Sequence, residues 1–346
     1  MRRRGLPLIA VGLACAVLLL IGGAFGSSVL PSCLGAWLVF AALPLGALPI
    51  VLAVDLAETS VAAPIEPTLR TLAGLMPLAA VLFIPILFGA RTLFPGVGEA
   101  QTGFPGVWFG TGFFILRAIL VLVVWSVLGL VAARRPHDAA RPRRRLVAGV
   151  GLGLHLAMGT TMAADWVLAV EPGFASSGFG LMFMSAQVGL ALAVAALMRP
   201  SERERRDWRA LSIAMAACLG FWLFLQFTHY LVIWSANLPA EVAWYHHRSA
   251  GIGQSAQYVA AVGAVAAVIV LVSRRLSHSP ALLAATASAL ILLHAVEMFW
   301  FVTPGARGHF SFGLYDIVAV IGVAAATAGV LRLGLPTSLP RGLRNV

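Results

Sequence analysis

Charge is scarce in this sequence of 346 residues: Asp, Glu, Lys and Arg together make up 11%, against about 25% in an ordinary soluble domain. Lysine is absent altogether, so the 24 basic residues are all arginine. Cysteine is nearly absent. Cys15, Cys33 and Cys218 stand alone, with no CxxC or Cys/His spacing of the kind that marks zinc, an iron–sulfur cluster or covalent haem attachment. Long polar stretches are also missing, which leaves no room for a soluble domain of useful size.

What is present is apolar chain, with 60% hydrophobic residues and a mean hydropathy of +0.93. A segment that crosses about 30 Å of hydrocarbon needs roughly 20 residues. Ten such segments are readable, at 6–25, 34–54, 71–90, 111–132, 146–168, 177–198, 210–234, 253–273, 281–302 and 312–333. They predict an all-α polytopic membrane protein with ten transmembrane helices, residues 1–346 forming one integral membrane domain. Pro44, Pro49, Pro77 and Pro85 predict kinks in the second and third spans.

A formal net charge of +11 raises the question of a nucleic-acid partner, and the placement of the arginines answers it. They fall on alternate loops: at the N-terminus, at Arg70, in RRPHDAARPRRR (134–145), in RPSERERRDWR (199–209), at Arg274 and Arg275, and at Arg332, Arg341 and Arg344. Only Arg91, Arg117, Arg248 and Arg307 fall on the other side. The positive-inside rule then puts both termini in the cytoplasm and accounts for the charge without nucleic acid. The first segment follows MRRRG as a signal peptide would, but it is read as a retained helix, since removing it spoils the alternation.

An ionisable group within a span costs about 2.5–3.5 kcal/mol on insertion scales and is a functional candidate by default. Counting 1.5 Å per residue from the cytoplasmic end, His155 lies at roughly 14 Å, His294 at roughly 20 Å, Glu297 at roughly 24 Å, His229 at roughly 27 Å and Asp165 at roughly 29 Å. Arg117 and Asp316 approach from outside. Apart from His155, the candidates belong to the outer half; Asp55 and Glu58 only reach the inner edge. His155 and Asp165 share a broad helix face, as a functional pair or as separate interhelical hydrogen-bonding groups. His294 and Glu297 are neighbours at i and i+3, fit either to relay protons or to satisfy each other. Arg117 either snorkels to the surface or pairs with Asp165 or Glu171. His229 and His294 differ in depth by roughly 7 Å, and no second matched pair exists, which argues against a bound b-type haem. Asp165, His229, His294, Glu297 and Asp316 are expected to converge on one hydrated cavity open to the outside, because burying them apart is costly.

Four segments carry a resemblance: WFGTGFFILRAILVLVVW (108–125), DWVLAVEPGFASSGFG (165–180), QFTHYLVIWSANLPAEVAWYHHR (226–248) and HAVEMFWFVTP (294–304). In order and spacing they resemble the ActF-type subunits of bacterial alternative complex III, a quinol:cytochrome c oxidoreductase. These are membrane subunits of the NrfD/polysulfide-reductase type. The resemblance covers most of the chain from the fourth span onward. It implies two central four-helix bundles with one flanking helix on each side, in the bacterial inner membrane. It implies partners: a sister NrfD-like subunit better suited to quinol oxidation, a multihaem cytochrome c, a periplasmic iron–sulfur subunit, a monohaem cytochrome c, a terminal oxidase and lipids. Haem c and iron–sulfur clusters then belong to the partners, and this chain carries no cofactor beyond a quinol. Proton conduction on the periplasmic side is part of the same expectation.

Asn237, Pro239 and Glu241 predict an outer turn after the seventh span, where proline ends the helix and the Asn and Glu side chains bond exposed backbone groups. Glu171, Glu241 and Arg248 are expected to line an outer mouth, as a proton exit or a docking surface. Two other functions compete: a secondary transporter, for which broken helices speak, and a subunit oxidising quinol in its own pocket, where a His or Asp accepts the hydroxyl proton.

Overall fold

The computed structural model describes residues 5–24, 29–59, 62–134, 141–171, 173–198, 205–276 and 279–334, the side chains of 205–208 excepted. Among them there is no strand, and ten helical segments are long and apolar enough to cross a membrane, as read from the sequence. The protein is a multi-pass membrane protein. Its first two spans are α1 (Gly5–Ala24) and α2 (Leu30–Ala57). The third is divided into α3 (Glu66–Ala73), α4 (Met76–Leu82) and α5 (Ile84–Phe88), followed by a turn, α6 (Ala90–Leu93). A short α7 (Gly103–Trp108) leads into the fourth span, α8 (Thr111–Ala133). The fifth, α9 (Arg141–Met162), runs on through a π-helical turn at Ala163–Val167 and a 3-10 turn at Leu168–Val170. Then come α10 (Phe179–Leu197), α11 (Arg205–Ala236), α12 (Pro239–Ser249), α13 (Ile252–Val272), α14 (Pro280–Arg307) and α15 (Leu314–Leu333).

The prolines act unequally. Pro77 and Pro85 fall in the first turns of α4 and α5, where a missing N–H is harmless, and the third span breaks ahead of each. Pro44 and Pro49 lie inside α2, which stays one continuous helix. That helix is gripped on several sides, by α3, α9, α10, α14 and α15.

Contacts divide the spans into two four-helix bundles. In the first, α2 meets the broken third span, which meets α8, which meets α9, which returns to α2. The second closes in the same way through α10, α11, α13 and α14. The seam between them is α2 against α10 and α14, with α9 against α10. At its closest point Gly46 of α2 lies against the main chain of Gln187, leaving no room for a Cβ.

The two remaining spans do not flank opposite sides. α1 and α15 run along each other, and α15 rests on α2. Their seam is glycine-lined: a Cβ on Gly12 would sit 3.1 Å from the Gly322 carbonyl, and one on Gly5 2.9 Å from that of Gly329. Between lipid-facing helices, where no hydrophobic force drives association, such small residues allow the close backbone contact that does. The first bundle is filled by a tight aromatic cluster. Phe83 lies 4.6 Å from Trp37 and 4.4 Å from Trp166 between ring centres, and the Trp37 indole donates to the Ala79 carbonyl at 2.7 Å.

Residues 135–140 and 199–204 of the arginine-rich loops at 134–145 and 199–209, and the chain ends at 1–4 and 335–346, lie outside the described residues. Their cytoplasmic placement is open to a direct experiment. A single cysteine at position 140, in a chain whose three native cysteines are replaced, is expected to resist an impermeant maleimide added to intact cells and to react after lysis. Labelling before lysis would reverse the orientation.

Candidate functional site

Around Asp165 the fifth helix widens into its π-helical turn, a feature often found where a helix serves a site. The Asp165 carboxylate, 3% exposed, accepts from Trp108 Nε1 at 2.9 Å and from Arg117 Nε at 2.7 Å. The Arg117 guanidinium also donates to the Trp108 carbonyl at 3.1 Å and lies 3.8 Å above the Trp108 ring. Arg117 therefore pairs with Asp165 and does not snorkel outward.

The next acidic residue, Glu171, is bound by α12, a helix not anticipated from the sequence. Asn237, exposed and with φ of 50°, takes the left-handed conformation that ends α11, and Pro239 starts α12. Among the described residues neither the Asn237 amide nor the half-buried Glu241 carboxylate has a hydrogen-bond partner, so the turn is made by backbone geometry and not by their side chains. Two turns of α12 beyond Glu241, Arg248 is fully buried. It donates to Glu171 Oε2, to the Trp244 carbonyl at 2.9 Å and to the Phe301 carbonyl at 2.7 Å. His247 Nδ1 sits 2.7 Å from Glu171 Oε1. The Trp244 ring lies 3.1 Å beneath the guanidinium and is itself stacked on Phe174 at 4.2 Å. Burial pulls Arg248 down to about 10, Glu171 opposing it, so it stays cationic at neutral pH. Glu171 and Arg248 thus form a buried pair, flanked by the half-exposed His247, and not an open mouth.

In the second bundle Gln226 finds its purpose. Its amide donates to Glu297 Oε1 at 2.8 Å, and Trp222 Nε1 donates to the same oxygen at 3.0 Å. His294, one turn away on α14, comes no nearer than 3.8 Å from Nδ1 to Glu297 Oε2, beyond hydrogen-bond reach. Its Nε2 is buried with no partner among the described residues, a state that costs about 1–3 kcal/mol. These groups line a cavity of about 460 Å³ enclosed by α10, α11, α13 and α14.

The remaining candidates lie elsewhere. Asp316, 1% exposed, is held by Arg307 at 2.8 and 2.9 Å and by the Gly313 amide at 2.7 Å; Arg307 also reaches Ser32. His229 Nδ1 meets the Tyr245 hydroxyl at 2.9 Å. His155 packs against Trp125, 6.0 Å between ring centres, with its Nδ1 unpartnered, and makes no pair with Asp165. The shared outer cavity expected from the sequence is thus corrected: Asp165, His229, Glu297 with His294, and Asp316 occupy four separate interfaces. The physical reason is that each carboxylate is compensated locally, by an arginine or by indole and amide donors, so no common pool of water is required. Among the described residues no group of three or more His, Cys, Asp and Glu side chains is gathered for a metal ion.

Sequence reading missed a further site at the arginine-rich end. Arg70 forms a buried network with Asp55 at 2.6 Å, with Glu66 at 2.8 Å and with the Ala132 carbonyl at 2.7 Å. Its signal was available in the i,i+4 spacing of Glu66 and Arg70. Nothing in the chain order announced Asp55 as the third partner. Arg144 and Glu58 pair nearby at 3.2 Å.

Comparison with known proteins adds no family to this geometry: no protein-family model and no curated protein matches the chain.

Proposed function

We propose that this chain is a non-haem integral membrane subunit of a respiratory quinol:cytochrome c oxidoreductase of the alternative complex III type, in the bacterial inner membrane, anchoring periplasmic redox subunits on its outer face. One observation carries the reading. The four segments that bear the resemblance are tied to one another by side-chain bonds. Trp108 and Arg117 of the first hold Asp165 of the second; Glu171 of the second holds Arg248 of the third; Arg248 binds the Phe301 carbonyl of the fourth, where Glu297 also accepts from Gln226 of the third. Three of these four ties lie toward the end opposite the arginine-rich loops and include two ion pairs buried in aromatic surroundings. They make a stiff platform, which suits a surface that must hold large partners in register. The partners of this reading are a sister NrfD-like subunit, multihaem and monohaem cytochromes c, and a periplasmic iron–sulfur subunit, with quinol oxidation centred in the sister subunit.

The separation of the polar groups into closed clusters favours anchoring over proton conduction along this face. The transporter reading drew on broken helices, yet the broken third span contributes no residue to the cavity, whose lining comes wholly from α10, α11, α13 and α14. Purification of the tagged chain in mild detergent, followed by haem staining and mass spectrometry, is expected to recover haem c proteins and an iron–sulfur subunit in fixed ratio. A chain that purifies alone from its native membrane, with no cytochrome at any detergent strength, would end the proposal.

A further inference from the structure

The cavity of the second bundle is not used by the anchoring role, and its chemistry defines what fits it. A volume of about 460 Å³ falls within the range of about 300–1,000 Å³ typical of small-molecule sites. All four enclosing helices count among the membrane spans. On its rim Phe227, Tyr230 and Val265 are 62%, 46% and 50% exposed. The opening therefore lies between α11 and α13, on the flank that lipid covers, and an occupant enters from the bilayer.

The polar end carries a carboxylate without a cation. Glu297 Oε1 accepts from Trp222 and Gln226, while Oε2 has no hydrogen bond among the described residues. His294 Nδ1 stands 3.8 Å from Oε2, and Nε2 of the same ring is buried without a partner. Asp165, Glu171 and Asp316 each face an arginine. No arginine lines this space, and Arg248, 5.6 Å from the centre of the Trp300 ring, is paired with Glu171. A carboxylate buried in this way must meet a cation or take up a proton. Trp222, Phe227, Tyr230 and Trp300 also line the cavity, and aromatic faces attract organic cations most strongly where water is excluded.

The ligand class follows by exclusion. A phosphate or a fatty-acid carboxylate would meet Glu297 with no cation to compensate it. A neutral carbonyl head has no donor for the open oxygen, and a neutral alcohol has a donor but brings no charge. A protonated amine supplies donor and charge together. We infer that this cavity binds a lipid-soluble, phosphate-free amine in its protonated form, its N–H donating to Glu297 Oε2 and its apolar part lying along Ala260, Ala261 and Ala264 of α13. The inference stands apart from the anchoring role, since binding requires only this chain.

The test uses the full chain in phosphatidylcholine nanodiscs and the binding of tritiated imipramine, a lipophilic tertiary amine, read by scintillation proximity. One saturable site per chain is expected above the linear uptake by empty nanodiscs. Dodecylamine should displace the probe, whereas dodecanol and dodecanoate, of the same tail length, should not. Glu297→Gln keeps an acceptor for Trp222 and Gln226 but removes the charge, and should weaken binding at least tenfold. No saturable binding, displacement by dodecanol equal to that by dodecylamine, or unchanged affinity in Glu297→Gln would overturn the inference. Displacement by added phosphatidylethanolamine would make the occupant an aminophospholipid and overturn the phosphate-free assignment. Should Glu297→Gln fail to elute as a single species, Ala260→Phe, which fills the space, takes its place, and unchanged affinity there counts against the site. Co-purifying cytochromes bear on the anchoring reading only, so the two stand or fall separately.

Discussion

Replacing Arg248 with Leu is expected to lower the stability of the purified chain by about 3–5 kcal/mol, the usual cost of stranding one partner of a buried ion pair. Glu171 would be left 7% exposed with only His247 beside it, and the Phe301 carbonyl would lose its donor. The planar guanidinium matters as well as its charge, because Arg248 binds Glu171 and two carbonyls at once while sitting over the Trp244 ring. Arg248→Lys should therefore recover only part of the loss. The double change Glu171→Gln with Arg248→Met removes both charges and should be milder than Arg248→Leu alone, since no uncompensated ion remains. The midpoint of thermal unfolding in detergent, read by size-exclusion fluorescence, gives the ranking. A wild-type midpoint for Arg248→Leu would mean that Glu171 is solvated and that the pair does not hold α12 to the bundle.

Gly46→Val is expected to prevent the two bundles from closing. A Cβ at Gly46 falls on the main chain of Gln187, and backbone cannot rotate out of the way as a side chain does. Overpacking in an adaptable core costs about 1–3 kcal/mol; here α2 must move away from α10, and α2 also carries contacts to α9, α14 and α15. Loss of a single monodisperse species after membrane extraction is the predicted outcome. Gly153→Ala on α9 provides the control, because a Cβ there meets nothing within 4 Å. Normal elution of Gly46→Val would show that α2 and α10 do not approach as closely as the structure has them.

Both outcomes turn on contacts that hydropathy does not encode. The ten spans were legible because transfer into lipid is close to additive along a segment, so each apolar run reports its own preference without reference to the others. The break in the third span was legible at Pro77 and Pro85 for the same local reason, whereas Pro44 and Pro49, read as kinks too, leave α2 unbroken. The list of intramembrane ionisable residues was equally plain, as was the rule that each needs compensation.

Which partner each one takes depended on which helices become neighbours and how each is rotated. Asp165 was open to Arg117 on the preceding span or to a role beside His155, and the widened turn at Ala163–Val167 that aims it at Arg117 and Trp108 has no signature in the chain. Glu297 had a neighbour in sequence at His294, yet its hydrogen bonds come from Trp222 and Gln226, 75 and 71 residues away. The first and last spans join because glycines at Gly5, Gly12, Gly322 and Gly329 fall on facing surfaces, a match that exists only once both helices stand side by side. Sequence alone thus determined that the chain is a ten-span membrane protein with costly groups buried in it. Tertiary structure alone decided that the carboxylates are compensated in separate places while His155 and His294 each keep a buried ring nitrogen without a partner among the described residues, and that one bundle keeps an apolar cavity with a carboxylate and an imidazole at its end. Burial is a property of each segment against lipid, but compensation is a property of two segments against each other.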